Sequence, residues 1–347
     1  METRLSALLI SHEFEGAWLL LQSNLSGGDI IDPRMDHQWA SIADQITAHV
    51  AEEHGFVETI HYWEKLLGFF LGTIEPKWGH VHKGHIYFRL GMLEARRDFA
   101  KAKGWLGEAR KEDLLLKASQ CTSKEEAQEQ AMESSSYVAL ALLERIEDSD
   151  FTTPQEKSQF MDNLFGVSFD AAIRGKLIKT DLVESALATI VPSTCLRGCI
   201  SLHNELEKAS QARIPFACVS LVGAVLESIL LAFLYTKLNI LKLSNRRDIL
   251  SAELGHLLEE AISREIFPNK SVQAACQMVH IFRNRLHPGN EMRQSNKLTM
   301  RIAITLRVLL ELTVLEWSHA MRETRVSEAE QSSTADLAEV RLEPIER

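Results

Sequence analysis

The sequence predicts an all-α protein in two parts, a helical-hairpin region followed by an antiparallel helical bundle. Three observations carry that prediction. Apolar residues recur at helical spacing through nearly the whole chain. The alternating β-branched runs and hairpin dipeptides that mark strands are almost absent. Glycine and proline fall at intervals that fit helix ends rather than turns between short strands.

The elements follow in order. "EFEGAWLLLQSNL" is the first amphipathic helix, ended by Ser26-Gly27-Gly28. "QWASIADQITAHVAEEHG" is the second, with Gly55 as its stop. "VETIHYWEKLLGFFLGTI" is strongly apolar on one face and is closed by Pro76. Residues 84–113 form a helical hairpin. Tyr87, Leu90 and Gly91 lie on its first helix, and Phe99, Ala102, Leu106 and Ala109 on its second, with Gly91 and Ala102 small enough to let the two approach. "SKEEAQEQAMESSSYVALALLERIEDSD" continues as helix, N-capped at Ser123 with Glu126 in the capping-box position. Residues 151–194 are weakly patterned and read as a helical linker, with the domain boundary near Pro192. Then "LRGCISLHNELEKASQ", a long helix opened by Pro215, "LGHLLEEAISREI", "VQAACQMVHIFRNRLHPG" and "LTMRIAITLRVLLELTVLEWSHAMRE" supply a bundle over 195–325. The last stretch, 326–347, is charged and poor in large apolar residues, and reads as a loose tail.

Composition bounds the function. The chain has 347 residues, 45% hydrophobic and 25% charged. Those are ordinary values for a soluble globular protein of two domains. Its first residues lack the basic, apolar, small-residue order of a secretory leader. The most apolar stretch, "CVSLVGAVLESILLAFLY", is interrupted by Ser220, Glu227 and Ser228, which fits a buried helix better than a membrane span. Five scattered cysteines (Cys121, Cys195, Cys199, Cys218, Cys276) predict reduced thiols in a cytoplasm. The net charge of −10 is uneven. Over 200–325, 16 basic residues stand against 12 acidic ones, leaving 22 against 36 elsewhere. An acidic body repels nucleic acid, whereas the mildly basic part has room for a phosphate backbone.

The region 84–113 resembles a tetratricopeptide repeat: an aromatic residue, Leu90-Gly91, Asp98-Phe99, then Ala102 at the close-packing point. The connection is one residue shorter than that family's usual spacing, and the closing proline is absent. Such repeats need stacked neighbours, which the flanking helices could supply. The resemblance implies a surface that docks a protein partner; a generic helical hairpin is the other reading.

The chemistry concentrates in "FRNRLHPGNE", residues 282–291. Arg283 and His287 stand at i and i+4, hence on one helix face, a permanent cation beside a group that titrates near neutral pH. Asn284 could orient the histidine. Arg285 points about 100° away and meets solvent or, with Arg293, a nucleic-acid backbone. Glu227, a carboxylate in a nearly all-apolar helix, is costly unless paired, and Arg283 is the obvious partner. A plainer reading exists: a helix C-terminus favours cations, and Pro288-Gly289 stops the helix.

"SLVGAVLESIL", a following helix with Leu-x-x-Leu-Leu-x-x-Ala, and "FRNRLHPG" together resemble the HEPN superfamily, over the span 195–325. These are small helical bundles, many of them metal-independent ribonucleases of defence and toxin systems, that often join two copies of the motif in a homodimer. Catalytic members place more residues between the arginine and the histidine. Here three separate Arg283 from His287, a spacing shared by a branch with "RN" closely followed by "HPG". The resemblance implies catalytic roles for Arg283 and His287, supported by Asn284 and Glu227. It implies single-stranded RNA as partner, a homodimer and no cofactor.

Other chemistries lack their motifs. There is no phosphate-cradling GK[ST] loop, no dinucleotide fingerprint, no HExxH and no GxSxG. His80, His82 and His85 have no carboxylate or cysteine beside them in sequence, so no metal is expected there. Two functions stay open: an RNA-cutting bundle with a sensing or docking region before it, and a non-catalytic dimerisation and interaction scaffold.

Overall fold

The computed structural model describes residues 2–26, 36–72, 83–149, 151, 153–165, 172–173, 175, 177–244, 247–284 and 298–339. Among these no strand occurs, and Lys242 and Asp248 form one isolated antiparallel bridge. The class is all-α, as the periodicity predicts. The chain divides into two compact units, Met1–Ser158 and Gln159–Arg347.

The first unit contains α1 (Glu2–Ile10), α2 (Phe14–Ser26), α3 (Asp36–His54), α4 (Phe56–Gly72), α5 (Lys83–Glu94), α6 (Phe99–Gln120), α7 (Lys124–Ala131) and α8 (Ser135–Glu147). From α1 to α7 each helix packs on the next, and α8 packs on α6 and α5. The core of α1–α5 is built on Trp18, Ile46, Trp63, Leu66 and Leu90, all essentially sealed from solvent. The α5–α6 hairpin closes where expected. A Cβ on Gly91 would stand 2.6 Å from the Leu106 side chain and 3.2 Å from the Ala102 carbonyl. Only glycine permits this approach. Gly55, at φ 82°, separates α3 from α4. It is a left-handed stop of the kind glycine favours. Ser123 accepts the Glu126 amide at the start of α7, while the Glu126 carboxylate accepts from Thr122. Pro76 lies outside the described residues. The helix α1, which precedes the first one expected, buries Leu5 and Leu9.

Helix α9 (Pro154–Phe165) spans the division. The second unit holds α10 (Thr180–Ile190), α11 (Ser193–Gln211), α12 (Pro215–Leu231), α13 (Leu254–Ser263), α14 (Lys270–Asn284) and α15 (Met300–Glu339). Helices α12 and α15 are its centre: α10, α11, α12 and α14 all pack on α15, and α11, α13 and α14 on α12. The unit therefore begins before the Pro192 boundary, because α10 buries Val183, Leu187 and Ile190 and packs on α15. Residues 151–194 are thus partly structural helix. Pro215–Lys237 is long and apolar enough to cross a membrane by composition, but 61% of its most apolar 18-residue window is buried within the protein. That burial fits a core helix.

Two expectations change. The long helix from Pro215 keeps α-helical bonding only to Leu231 and then widens to a π-helical turn, Ala232–Lys237. Asn239, at φ 53°, follows that turn. The segment after Arg325 is not a loose tail in its backbone: α15 runs to Glu339. No glycine or proline interrupts 326–339, and its Glu, Ala and Gln residues are good helix formers.

Candidate functional site

The site is assembled on three helices. Helix α14 starts at a side-chain cap, Asn269 Oδ1 accepting from the Val272 amide at 2.9 Å. Such a cap satisfies a donor that the first turn leaves without a helical partner. The apolar face of α14 buries Val272, Ala275, Val279 and Phe282, which fixes the helix's rotation. His280, Arg283 and Asn284 then share the remaining face at i, i+3 and i+4.

Arg283 lies across α12. Its stem passes over Gly223, where an added Cβ would stand 2.7 Å from Cγ and 3.0 Å from Cδ. One helical turn further on, its Nη2 reaches Glu227 Oε2 at 3.0 Å. The contact is ionic rather than an aligned hydrogen bond, since the buried Oε2 accepts none among the described residues. Both side chains keep about a third of their surface, 34% and 31%. A guanidinium has five N–H donors, so this single contact leaves donors for an anion.

His280 is seated in the same way against α13. A Cβ on Gly255 would fall 2.9 Å from its Cε1. Its Nε2 lies 2.9 Å from the Asn284 amide nitrogen. Its Nδ1 is buried with no partner among the described residues. Burial, then the Arg283 cation, hold the imidazole below its ordinary value. Glu259 acts in the opposite direction and His256 in the same one. Beside it, Arg247 Nη1 lies 3.0 Å from His256 Nε2.

A second polar cluster lies deeper in the same unit. Arg307 Nε donates to Glu311 Oε1 at 2.7 Å, and His203 Nε2 is 3.0 Å from that same oxygen. All three side chains are 3% exposed or less. In the first unit, Asp44 takes Arg89 Nη2 at 2.7 Å and His85 Nε2 at 3.4 Å. Burial pushes the Asp44 carboxyl up, but the His85 contact and then Arg89 outweigh it and lower the group to about 2. His85 thus has a carboxylate neighbour through space that its sequence neighbours did not reveal.

The buried cysteines offer no nucleophile. Burial pushes Cys218 up to about 11 and raises Cys199 and Cys276 as well. All three therefore stay protonated at neutral pH. All five cysteines are free. No group of three or more His, Cys, Asp or Glu suited to a metal occurs among the described residues.

Of the residues singled out in sequence, the structure brings Arg283, Glu227 and Asn284 to one place. Arg285, His287 and Arg293 lie outside the described residues, as do His80 and His82. Sequence reasoning missed His280, Gly223 and Gly255. The signal for His280 was its place three residues before Arg283. For the glycines it was their isolation inside helical patterns, which marks a close approach. Compared with known proteins, the chain matches no family model, and neither curated proteins nor solved structures give a match.

Proposed function

We propose that this chain is a metal-independent endoribonuclease, of the kind the HEPN resemblance implies, acting in a defence or toxin system in the cytoplasm. The observation that carries the reading is Arg283, seated over Gly223 and steered by Glu227 while a third of its side chain stays exposed. Cutting RNA without a metal requires positive charge on the phosphate and a group that moves protons. Arg283 supplies the first, and His287, four residues on, supplies the second. The nucleophile is the RNA's own 2'-OH, and the product carries a 2',3'-cyclic phosphate. Arg285 and Arg293 contact the backbone. A homodimer through the C-terminal bundle brings two motif segments together, and the helical first unit docks a protein partner that sets when the enzyme acts.

The test is labelled single-stranded RNA incubated in EDTA with purified protein, wild type beside Arg283→Ala and His287→Ala. Cleavage should survive chelation, spare DNA, and fall on the order of 100- to 1000-fold in each variant. Cleavage that vanishes in EDTA, or persists undiminished in His287→Ala, would place the chemistry elsewhere.

A second reading, a non-catalytic dimerisation and interaction scaffold, is favoured by one observation. Tyr235, Leu238, Leu241 and Leu250 are exposed apolar side chains on one segment after α12. On that reading the two motif variants leave every property but binding unchanged.

A further inference from the structure

We infer that His280 is a catalytic residue of the same site, the base that takes the proton from the RNA 2'-OH, with Asn284 as its positioning residue. This assignment rests on the ribonuclease reading and gives it the second proton-transfer group that a single histidine lacks.

The geometry argues for it in three steps. First, α14 is flanked by two helical glycines, and each faces one polar side chain of α14. Gly223 of α12 receives Arg283, and Gly255 of α13 receives His280. A glycine within a helix is destabilising relative to alanine. Two such positions, both spent on seating neighbouring members of one face, hold an imidazole and a guanidinium in fixed relation. Second, the two nitrogens of His280 are not equivalent. Nδ1 is sealed and has no partner among the described residues; Nε2 lies on the side of the exposed Asn284. A donor from Asn284 to Nε2 leaves the proton on Nδ1 and directs the Nε2 lone pair at that exposed amide. A substrate hydroxyl that displaces the exposed amide meets that lone pair. Third, the surroundings favour a neutral imidazole able to accept a proton. Arg283 on the same helix and His256 on α13 disfavour its protonated form, Glu259 on α13 opposes them, and Glu227 on α12 is engaged with Arg283.

The step balances. The 2'-O–H bond breaks and its proton passes to His280 Nε2. The 2'-oxygen forms a bond to phosphorus, and the bond from phosphorus to the 5'-oxygen breaks. His287 gives a proton to the leaving 5'-oxygen, and Arg283 bears the charge that builds on the phosphate. Water then takes the proton from His280 and returns one to His287. No oxidant or metal enters.

Single-turnover cleavage of a fluorophore-labelled single-stranded RNA in EDTA, followed across pH with the full-length protein, tests the assignment. Wild type should give a bell-shaped profile. His280→Gln should fall on the order of 100-fold and lose the rising, acid-side limb, whereas His287→Gln should keep that limb and lose the falling one. Asn284→Ala sits at an exposed helix position, so it keeps the fold even where His280→Gln does not. It should slow cleavage about 10-fold, as a misplaced base does, and shift the rising limb. A His280→Gln enzyme that is folded by circular dichroism and cuts like wild type with its rising limb intact overturns the assignment and leaves the ribonuclease reading standing. An Asn284→Ala profile superposable on wild type also counts against it. A wild-type protein that cuts no RNA overturns both.

Discussion

Two arginine–carboxylate pairs of the second unit differ in almost everything but their charges. Glu311 is sealed, shares one oxygen between Arg307 and His203, and lies on α15 in the middle of the unit. Glu227 holds a single arginine at the rim of α12, a third exposed, over a glycine. A buried pair has no water to turn to, so removing one partner strands the other at a cost of several kcal/mol, and here Glu311 Oε2 and His203 Nδ1 already lack partners among the described residues. A half-open pair is cheap to hold and cheap to disturb, and its cation can turn to an incoming anion. Charge alone therefore does not mark a site: the more conspicuous cluster is the structural one, and the modest one has the access that chemistry needs.

The buried pair should respond most strongly to substitution. Glu311→Ala leaves Arg307 and His203 buried without their shared acceptor, and should cost about 3–5 kcal/mol of stability. Urea unfolding of the second unit measures it; a loss under about 1 kcal/mol would mean that the cluster is not a structural keystone. Arg283→Ala reverses the pattern. Its stability cost should stay within about 1 kcal/mol, the range for a partly exposed pair, while RNA cleavage falls on the order of 100- to 1000-fold. A large loss of stability with Arg283→Ala would erase the distinction between the two pairs.

Gly223→Ala sharpens the rim side alone. The new Cβ would press on the Arg283 stem rather than on a yielding side-chain tip, so the guanidinium must move. Cleavage should drop on the order of 10- to 100-fold, the usual result of misplacing a group by about 1 Å. Gly104→Ala and Gly107→Ala in α6 are the controls: an added Cβ meets nothing within 4 Å at either. They should stabilise the protein by up to about 1 kcal/mol each.

These substitutions also show how much was legible in the sequence. Helical class, the stop at Gly55, the cap at Ser123, the approach at Gly91 and the opening of α12 at Pro215 follow from single residues with local physical reasons. The Glu227–Arg283 pair was legible because a lone carboxylate in an apolar helix demands a partner. The Glu311 cluster was not: Arg307 and Glu311 sit at i and i+4, the spacing of any solvent-facing pair, and only the packing of α11 brings His203 to them. Helix ends at Arg213, Asn239 and Glu265 were equally hidden, since these residues take left-handed backbone where glycine would have announced the stop. The π-helical turn after Leu231 has no local sequence signal at all.

A third ion cluster, in the first unit, lies between the two extremes. Asp44 is about a quarter exposed and holds Arg89 and His85. Its carboxyl is lowered from 3.8 to about 2, so the folded state favours the charged form. The stability this contributes is present above 3.8 and lost as the pH falls toward about 2. Asp44→Asn should therefore cost about 1–2 kcal/mol at neutral pH. Unfolding curves of wild type and variant should converge as the pH drops through that window. A gap that stays constant down to about pH 3 would assign the loss to packing instead of charge.

The smallest expected effect concerns His280 and does not depend on RNA. Its imidazole is lowered from 6.5 in the folded protein, by burial first and Arg283 second. Between 6.5 and the folded value the unfolded chain carries a proton there that the folded chain does not. Stability should accordingly rise with pH across that window and level off on either side. One group can tilt the curve by no more than one proton, about 1.4 kcal/mol per pH unit. The measurement is the difference between wild type and His280→Gln in urea unfolding from about pH 7.5 downward. The variant should gain on wild type as the pH falls below 6.5, since it has no imidazole to protonate on unfolding. Parallel curves would show that the seat at Gly255 leaves the imidazole as free to charge as in solvent. His280 would then differ little from the surface histidines, and the rim of α12 would hold one poised group, Arg283, instead of two.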